Sequence, residues 1–144
     1  MNGIKMSDCN FYVDEDARVV ICVIPNTKTM VHDYINEHFR FPNLDFSYII
    51  SGRLYEELIM PKSFMGKAVC AEGDDFNVET GKLIAFTRAK DRCYKSFFKR
   101  ANLFVQTVDR RLNEMIDEFN DFGMKLEAKH SALLEAIEKK VGLE

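Results

Sequence analysis

The four cysteines of this chain, Cys9, Cys22, Cys70 and Cys93, form no close pair. That spacing argues against a disulfide framework or a zinc ribbon and leaves reduced thiols buried in a core. His32, His38 and His130 are too scattered to read as a ligand cluster, so no metal ligand is expected. Met1-Asn2-Gly3-Ile4-Lys5 is not followed by an uninterrupted apolar run, so no signal peptide is read. No segment reaches the roughly 18 consecutive apolar residues of a membrane span. The expectation is a cytoplasmic protein with no membrane partner. Signatures of catalysis are lacking too. There is no Ser/His/Asp or Cys/His set in recognisable local context, no Gly-x4-Gly-Lys-Ser/Thr loop and no Gly-x-Gly-x-x-Gly. No enzyme, catalytic residue or cofactor is expected.

What the chain does have is a long regular seam. Cys93, Phe97, Ala101, Phe104, Val108, Leu112, Met115, Phe119, Gly123, Leu126, His130, Leu134, Ile137 and Val141 recur at steps of four, four and three, and only Gly123 and His130 interrupt the apolar character. Eleven residues over three turns is about 3.67 per turn, so such a seam runs nearly straight or coils slightly to the right. Strand side chains alternate with period two and cannot produce it. A helix from near Val78 through the whole row would span about 60 residues and roughly 90 Å. The seam therefore implies a partner helix, either another copy of the chain or the chain folded back at Asn120-Asp121-Phe122-Gly123. Self-association, as a dimer or a higher homo-oligomer, is the preferred expectation.

The 144 residues, 47% of them apolar and 30% charged, suffice for one domain with an extension. Before the helix, Asn10 to Val13 and Ala17 to Ile24 read as a hairpin around the acidic turn Asp14-Glu15-Asp16. The second run is almost wholly apolar, which suggests a central strand covered on both faces. Asn26 or Thr27 can cap a helix of about twelve residues that ends before Phe41-Pro42. Phe46 to Ile50 suggests a strand, while Leu54 to Ile59 fits a helical turn or a strand. Ser63 to Cys70 reads as a strand in which Gly66 marks a bulge or a close backbone approach. Asp75 or Asn77 would cap the long helix. The expected fold is α+β: a head over residues 1–78 with a small antiparallel sheet and a short helix, then a long helical region over 79–144 that mediates oligomerisation.

The net charge of −3 conceals an asymmetry. Residues 82–108 carry seven basic groups and one acidic, whereas both flanking regions are acidic. Along the first turns of the long helix Arg88, Arg92, Lys95 and Lys99 form one stripe, continued by Asn102 and Gln106. A partner helix on the seam would wall a groove beside it. Arginine grips phosphate through two hydrogen bonds, and Phe76, Phe86 or Tyr94 could offer a base a stacking face. The candidate ligand-binding set is Phe76, Lys82, Arg88, Arg92, Lys95, Lys99 and Asn102. Its ligand would be a small anionic nucleotide, because the acidic flanks repel a long polyanion. The alternative for these cations is a solvated helix face. Glu72, Asp74, Asp75 and Glu79 read as dipole-favoured acids at a helix start rather than as catalytic groups.

One stretch resembles a known pattern. Gly66-x-Ala68-x-Cys70, the pair Asp74-Asp75 before Phe76, then Glu79-x-Gly81-Lys82-x-x-Ala85-x-x-Arg88-Ala89 resembles a strand-loop-helix segment of small phage and prophage proteins. With a short α+β head and long helices at this chain length, it is similar to the Thoeris anti-defence protein 1 family of viral nucleotide sponges. The likeness covers about 25 residues. It implies an oligomer with ligand pockets at subunit interfaces that binds a cyclic nucleotide immune signal, a cyclic ADP-ribose isomer or a cyclic oligonucleotide, without cleaving it in the host cytoplasm. The same stretch is similar to a double-stranded-RNA-binding-like domain of bacteria. A nucleic-acid-binding module and a helical protein-protein inhibitor or assembly factor are the competing expectations.

Overall fold

A computed structural model describes residues 3–39 and 52–142. Strand β1 (Asn10–Asp14), strand β2 (Val19–Pro25), helix α1 (Met30–His38), helix α2 (Arg53–Glu57), strand β3 (Ser63–Val69) and helix α3 (Val78–Val141) follow in order, after a 3-10 turn at Met6–Asp8. The strands form an antiparallel sheet ordered β1-β2-β3. In its register Phe11 and Gly66 both lie opposite Cys22. The α+β class and the long C-terminal helix read from the sequence are present. The chain forms two compact units, Met1–Val105 and Gln106–Glu144. The first turns of α3 therefore belong with the head.

Alternation along β2 places Val20, Cys22 and Ile24 on one fully buried face and Val19, Ile21 and Val23 on a half-buried one. The strand is central, as its apolar run suggests, with one face fully covered and the other covered in part. The fully covered face meets α3, and the helix comes close because both sides are small. Gly81 lies against Val20, where an added Cβ would stand 2.7 Å from a Val20 methyl. A Cβ on Gly66 would overlap the Ala85 carbonyl oxygen and the Ala89 amide nitrogen. Glycine is thus required at 66 by backbone-to-backbone contact, the close approach that the sequence suggests there. Ala85, Ala89 and Cys93 continue the buried line, none of them exposed at all.

Farther along, the aromatic residues of α1 and its end complete the core. Tyr34 meets Phe97 edge-on at 5.5 Å between centroids, and Phe39 meets Phe104 at 5.3 Å. Leu58 and Met60, after α2, are buried as well. Arg100 fastens this segment to α3 by donating from Nε to the Ile59 carbonyl at 3.0 Å. Ile4 N–H donates to Tyr94 Oη, which ties the N-terminal segment to the same helix.

Helix starts follow local chemistry, with one correction. Asn77 Oδ1 accepts from the Thr80 N–H at 3.1 Å and caps α3, as expected. Thr27 does not cap α1. It is buried and donates its hydroxyl to the Pro61 carbonyl at 2.6 Å, and Thr29 takes the cap position. A buried hydroxyl needs a partner more than an exposed helix end needs a cap, because unpaired burial costs about 1–3 kcal/mol. α1 has nine residues rather than about twelve. Leu54 to Ile59 resolves in favour of a helical turn. The strand suggested at Phe46 to Ile50 and the helix stop at Phe41-Pro42 lie outside the described residues.

Candidate functional site

The basic stripe sits above the free edge of the sheet. β3 is an edge strand, and its outward carbonyls would otherwise be open to any passing strand. Arg88 Nη1 donates to the Lys67 carbonyl at 2.7 Å and Arg92 Nη1 to the Met65 carbonyl at 3.1 Å. Two of the seven sequence-predicted ligand residues are thus occupied with closing their own sheet. Lys95 pairs with Asp91 at 2.9 Å, one turn back on the same helix. Lys82 lies on the other flank of α3, 5.7 Å from the centre of the Phe11 ring of β1 and 4.0 Å from Glu79. Lys99 and Asn102 are exposed. The stripe is continuous from Arg88 to Asn102, but Lys82 is not part of it.

Phe76 stands elsewhere. It is half-buried and lines a cavity of about 290 Å³ where β3 passes into α3, with Val69, Cys70, Asp74, Asp75 and Asn77. Arg18 reaches this corner and donates from Nη2 to Cys70 Sγ at 3.1 Å. Two exposed carboxylates at the mouth repel an anion, so the cavity does not suit the ligand expected from the stripe. Phe76 and the cations are not brought together. From sequence alone the acids read as helix-start residues. The signal that they flank a cavity is their position in the short turn between a strand and a helix.

The residues that carry the phage-protein resemblance can be followed one by one. Gly66, Gly81, Ala85 and Ala89 form the close strand-helix contact, Ala68 is buried on the same face, and Arg88 covers the strand edge. Packing alone accounts for these positions.

The seam divides at about Phe104. Cys93, Phe97 and Phe104 are buried by the head itself, so the groove expected between the stripe and a partner helix is filled by α1 and β3 of the same chain. From Leu112 onward the same row is open. Phe119 is 73% exposed, Met115 63%, Leu126 56% and Leu112 52%. Phe122 and Leu133 widen this apolar face.

The thiols are free. Burial pushes Cys22 up to about 12 and Cys93 up to about 11, with the neighbouring Cys9 thiol adding to both. These are protonated core groups, not nucleophiles. Among the described residues no group of three or more His, Cys, Asp or Glu is placed to hold a metal ion, and no helix is long and apolar enough to cross a membrane. Compared with models of known protein families, with curated proteins and with solved structures, the chain matches none.

Proposed function

We propose that this chain is a non-enzymatic binding protein that works as a homo-oligomer, its copies held together along residues 106–141 of α3. One observation carries the reading: an apolar row of seven turns or more, from Leu112 to Val141, stays open to water on a helix whose opposite face is charged. Exposed apolar area of this extent marks a surface used in association. A solitary helix owes most of its stability in proteins to packing of such a face. Sedimentation velocity across a range of concentrations tests it. Wild type should sediment as a dimer or larger species, and Phe119→Glu should sediment as a monomer of unchanged head stability. A wild-type monomer at tens of micromolar would remove the reading.

A second reading is sequestration of a cyclic nucleotide signal by a phage anti-defence protein in the host cytoplasm, the function that the resemblance implies. The exposed remainder of the stripe, Lys99 and Asn102 with Lys95 alongside, favours it. Calorimetry against a panel of cyclic ADP-ribose isomers and cyclic oligonucleotides is the test. Binding that weakens about tenfold or more in Lys99→Glu supports the stripe, in keeping with a charge-assisted contact of about 1.5–3 kcal/mol. No heat with any member of the panel would eliminate it.

A further inference from the structure

The open row offers two further clues: a glycine that nothing in the chain uses, and a distribution of charge that reverses along the helix. Gly123 lies in the row, in unbroken α-helix, and a Cβ there would meet nothing within 4 Å. It takes no left-handed conformation; the positive-φ glycines of the described chain are Gly52, Gly73 and Gly142. Relative to Ala it costs the helix about 1 kcal/mol. A missing side chain in an apolar row is useful when another backbone comes close. Gly66 shows the same device inside the head, where the approaching backbone, that of Ala85 and Ala89, is visible.

Charge indicates which way that partner runs. Residues 114–121 carry Glu114, Asp117, Glu118 and Asp121 and no base, whereas 123–132 carry Lys125 and Lys129 against Glu127. A second copy laid parallel and in register sets the acidic stretch beside itself. A second copy laid antiparallel about Gly123 sets it beside the lysines. Residues equidistant from Gly123 then come level, so Glu118 stands between Lys125 and Lys129 of the other chain. These three are spaced seven and four residues apart and share one flank of the helix. Neither Glu118 nor Lys129 has an ion-pair partner among the described residues, and Lys125 pairs only with Asp121, one turn away. Toward the ends the same arrangement brings Asp109 to within one residue of level with Glu138, on the same flank. That single approach of like charges is exposed and screened, while each Glu118 meets two lysines.

Period argues for a second copy rather than an unrelated helix. A seam repeating every eleven residues stays in contact only with a helix of matching rhythm, and the chain itself carries that rhythm. We infer that residues 106–141 pair with the same residues of a second copy, antiparallel, with the two backbones closest at Gly123. This rests on the self-association proposed above and adds its direction and its point of contact.

Spin labels on the full chain test it, in a Cys9→Ser, Cys70→Ser background that leaves only the fully buried Cys22 and Cys93. Labels at Glu138→Cys should lie about 45 Å apart, thirty residues of rise, and labels at Asn120→Cys close together. Short distances at both positions mean a parallel pair, which overturns the inference and leaves self-association standing. No intermolecular distance at either position, with a monomer in sedimentation, overturns both. Gly123→Leu gives an independent reading free of labels: the dimer should weaken at least tenfold while helix content holds or rises. An unweakened dimer would show that Gly123 is not where the chains meet.

Discussion

Between Gly81 and Phe104, helix α3 turns Ala85, Ala89, Cys93 and Phe97 onto the sheet and α1, and every one is buried. Between Leu112 and Val141 the same spacing presents Met115, Phe119, Leu126 and Ile137 to water. From Cys93 through Val141 the steps of four, four and three are unbroken, so period does not separate the buried Cys93 and Phe97 from the open Met115 and Phe119. What differs is the remainder of the chain. The first stretch has glycines and alanines that let a sheet come within backbone contact, and aromatics that interlock with Tyr34 and Phe39. The second has larger apolar residues and no sheet in its own unit. Burying a Phe or Leu side chain is worth about 1.5–3 kcal/mol, which the head already collects and the C-terminal stretch does not. Its intrahelical ion pairs, such as Arg111–Glu114 and Lys125–Asp121, add only about 0.2–0.5 kcal/mol each.

The sharpest way to separate the stretches is to make one truncation in each. Phe104 is 1% exposed and packs edge-on against Phe39. Phe104→Ala should lower the unfolding free energy of the head by about 3–5 kcal/mol, read by urea denaturation. Phe119→Ala, fifteen residues on and 73% exposed, should leave the head transition within about 0.5 kcal/mol and act on association alone. Equal losses in dilute protein would mean that the two stretches share one core.

Adding a methyl group at Gly66 and at Gly123 should give opposite signs. Gly66→Ala drives a Cβ into the Ala85 and Ala89 backbone, which can only be relieved by lifting the helix. Overpacking of this kind costs about 1–3 kcal/mol or more. Gly123→Ala meets nothing and should raise helix stability in dilute protein by about 1 kcal/mol. Circular dichroism melts of both variants check the pair, and a stabilising Gly66→Ala would contradict the close contact.

This contrast also explains how much was legible in the residues beforehand. The hairpin, the central apolar strand, the cap at Asn77 and the close approach at Gly66 were readable because each depends on neighbours in sequence or on one strong local rule. The cover on Cys93, Phe97 and Phe104 was not, since periodicity identifies a face without naming its partner. The arginines illustrate the same gap. Arg88 and Arg92 were legible as one stripe, yet their bonds to the Lys67 and Met65 carbonyls depend on which strand lies at the edge. That is a matter of topology, and no spacing along the helix encodes it. Nearness in sequence groups Phe76 with the cations, and the turn into α3 separates them.

The smallest expected effect comes from alkali, and it should reach only one of the two units. All four thiols lie in the first unit, and burial holds Cys93 at about 11 against an ordinary value of 9.0. A folded value raised above the unfolded one means that the unfolded chain releases its proton first as pH rises. Below about pH 9 both states keep the proton and stability is unaffected by this group. Between about 9 and 11 the unfolded thiolate gains and the folded state is progressively weakened. At pH 10 the loss is about 1 kcal/mol for Cys93, following from about 1.4 kcal/mol per unit of displacement. Cys93→Ala lacks that proton, so its unfolding free energy should fall less between pH 8 and pH 10 than that of wild type by about the same amount. Denaturation at the two pH values measures the difference. An identical decline in both proteins would mean that the thiol is reached by water in the folded state, and that the strand-helix contact beside it is looser than Gly66, Ala85 and Ala89 imply.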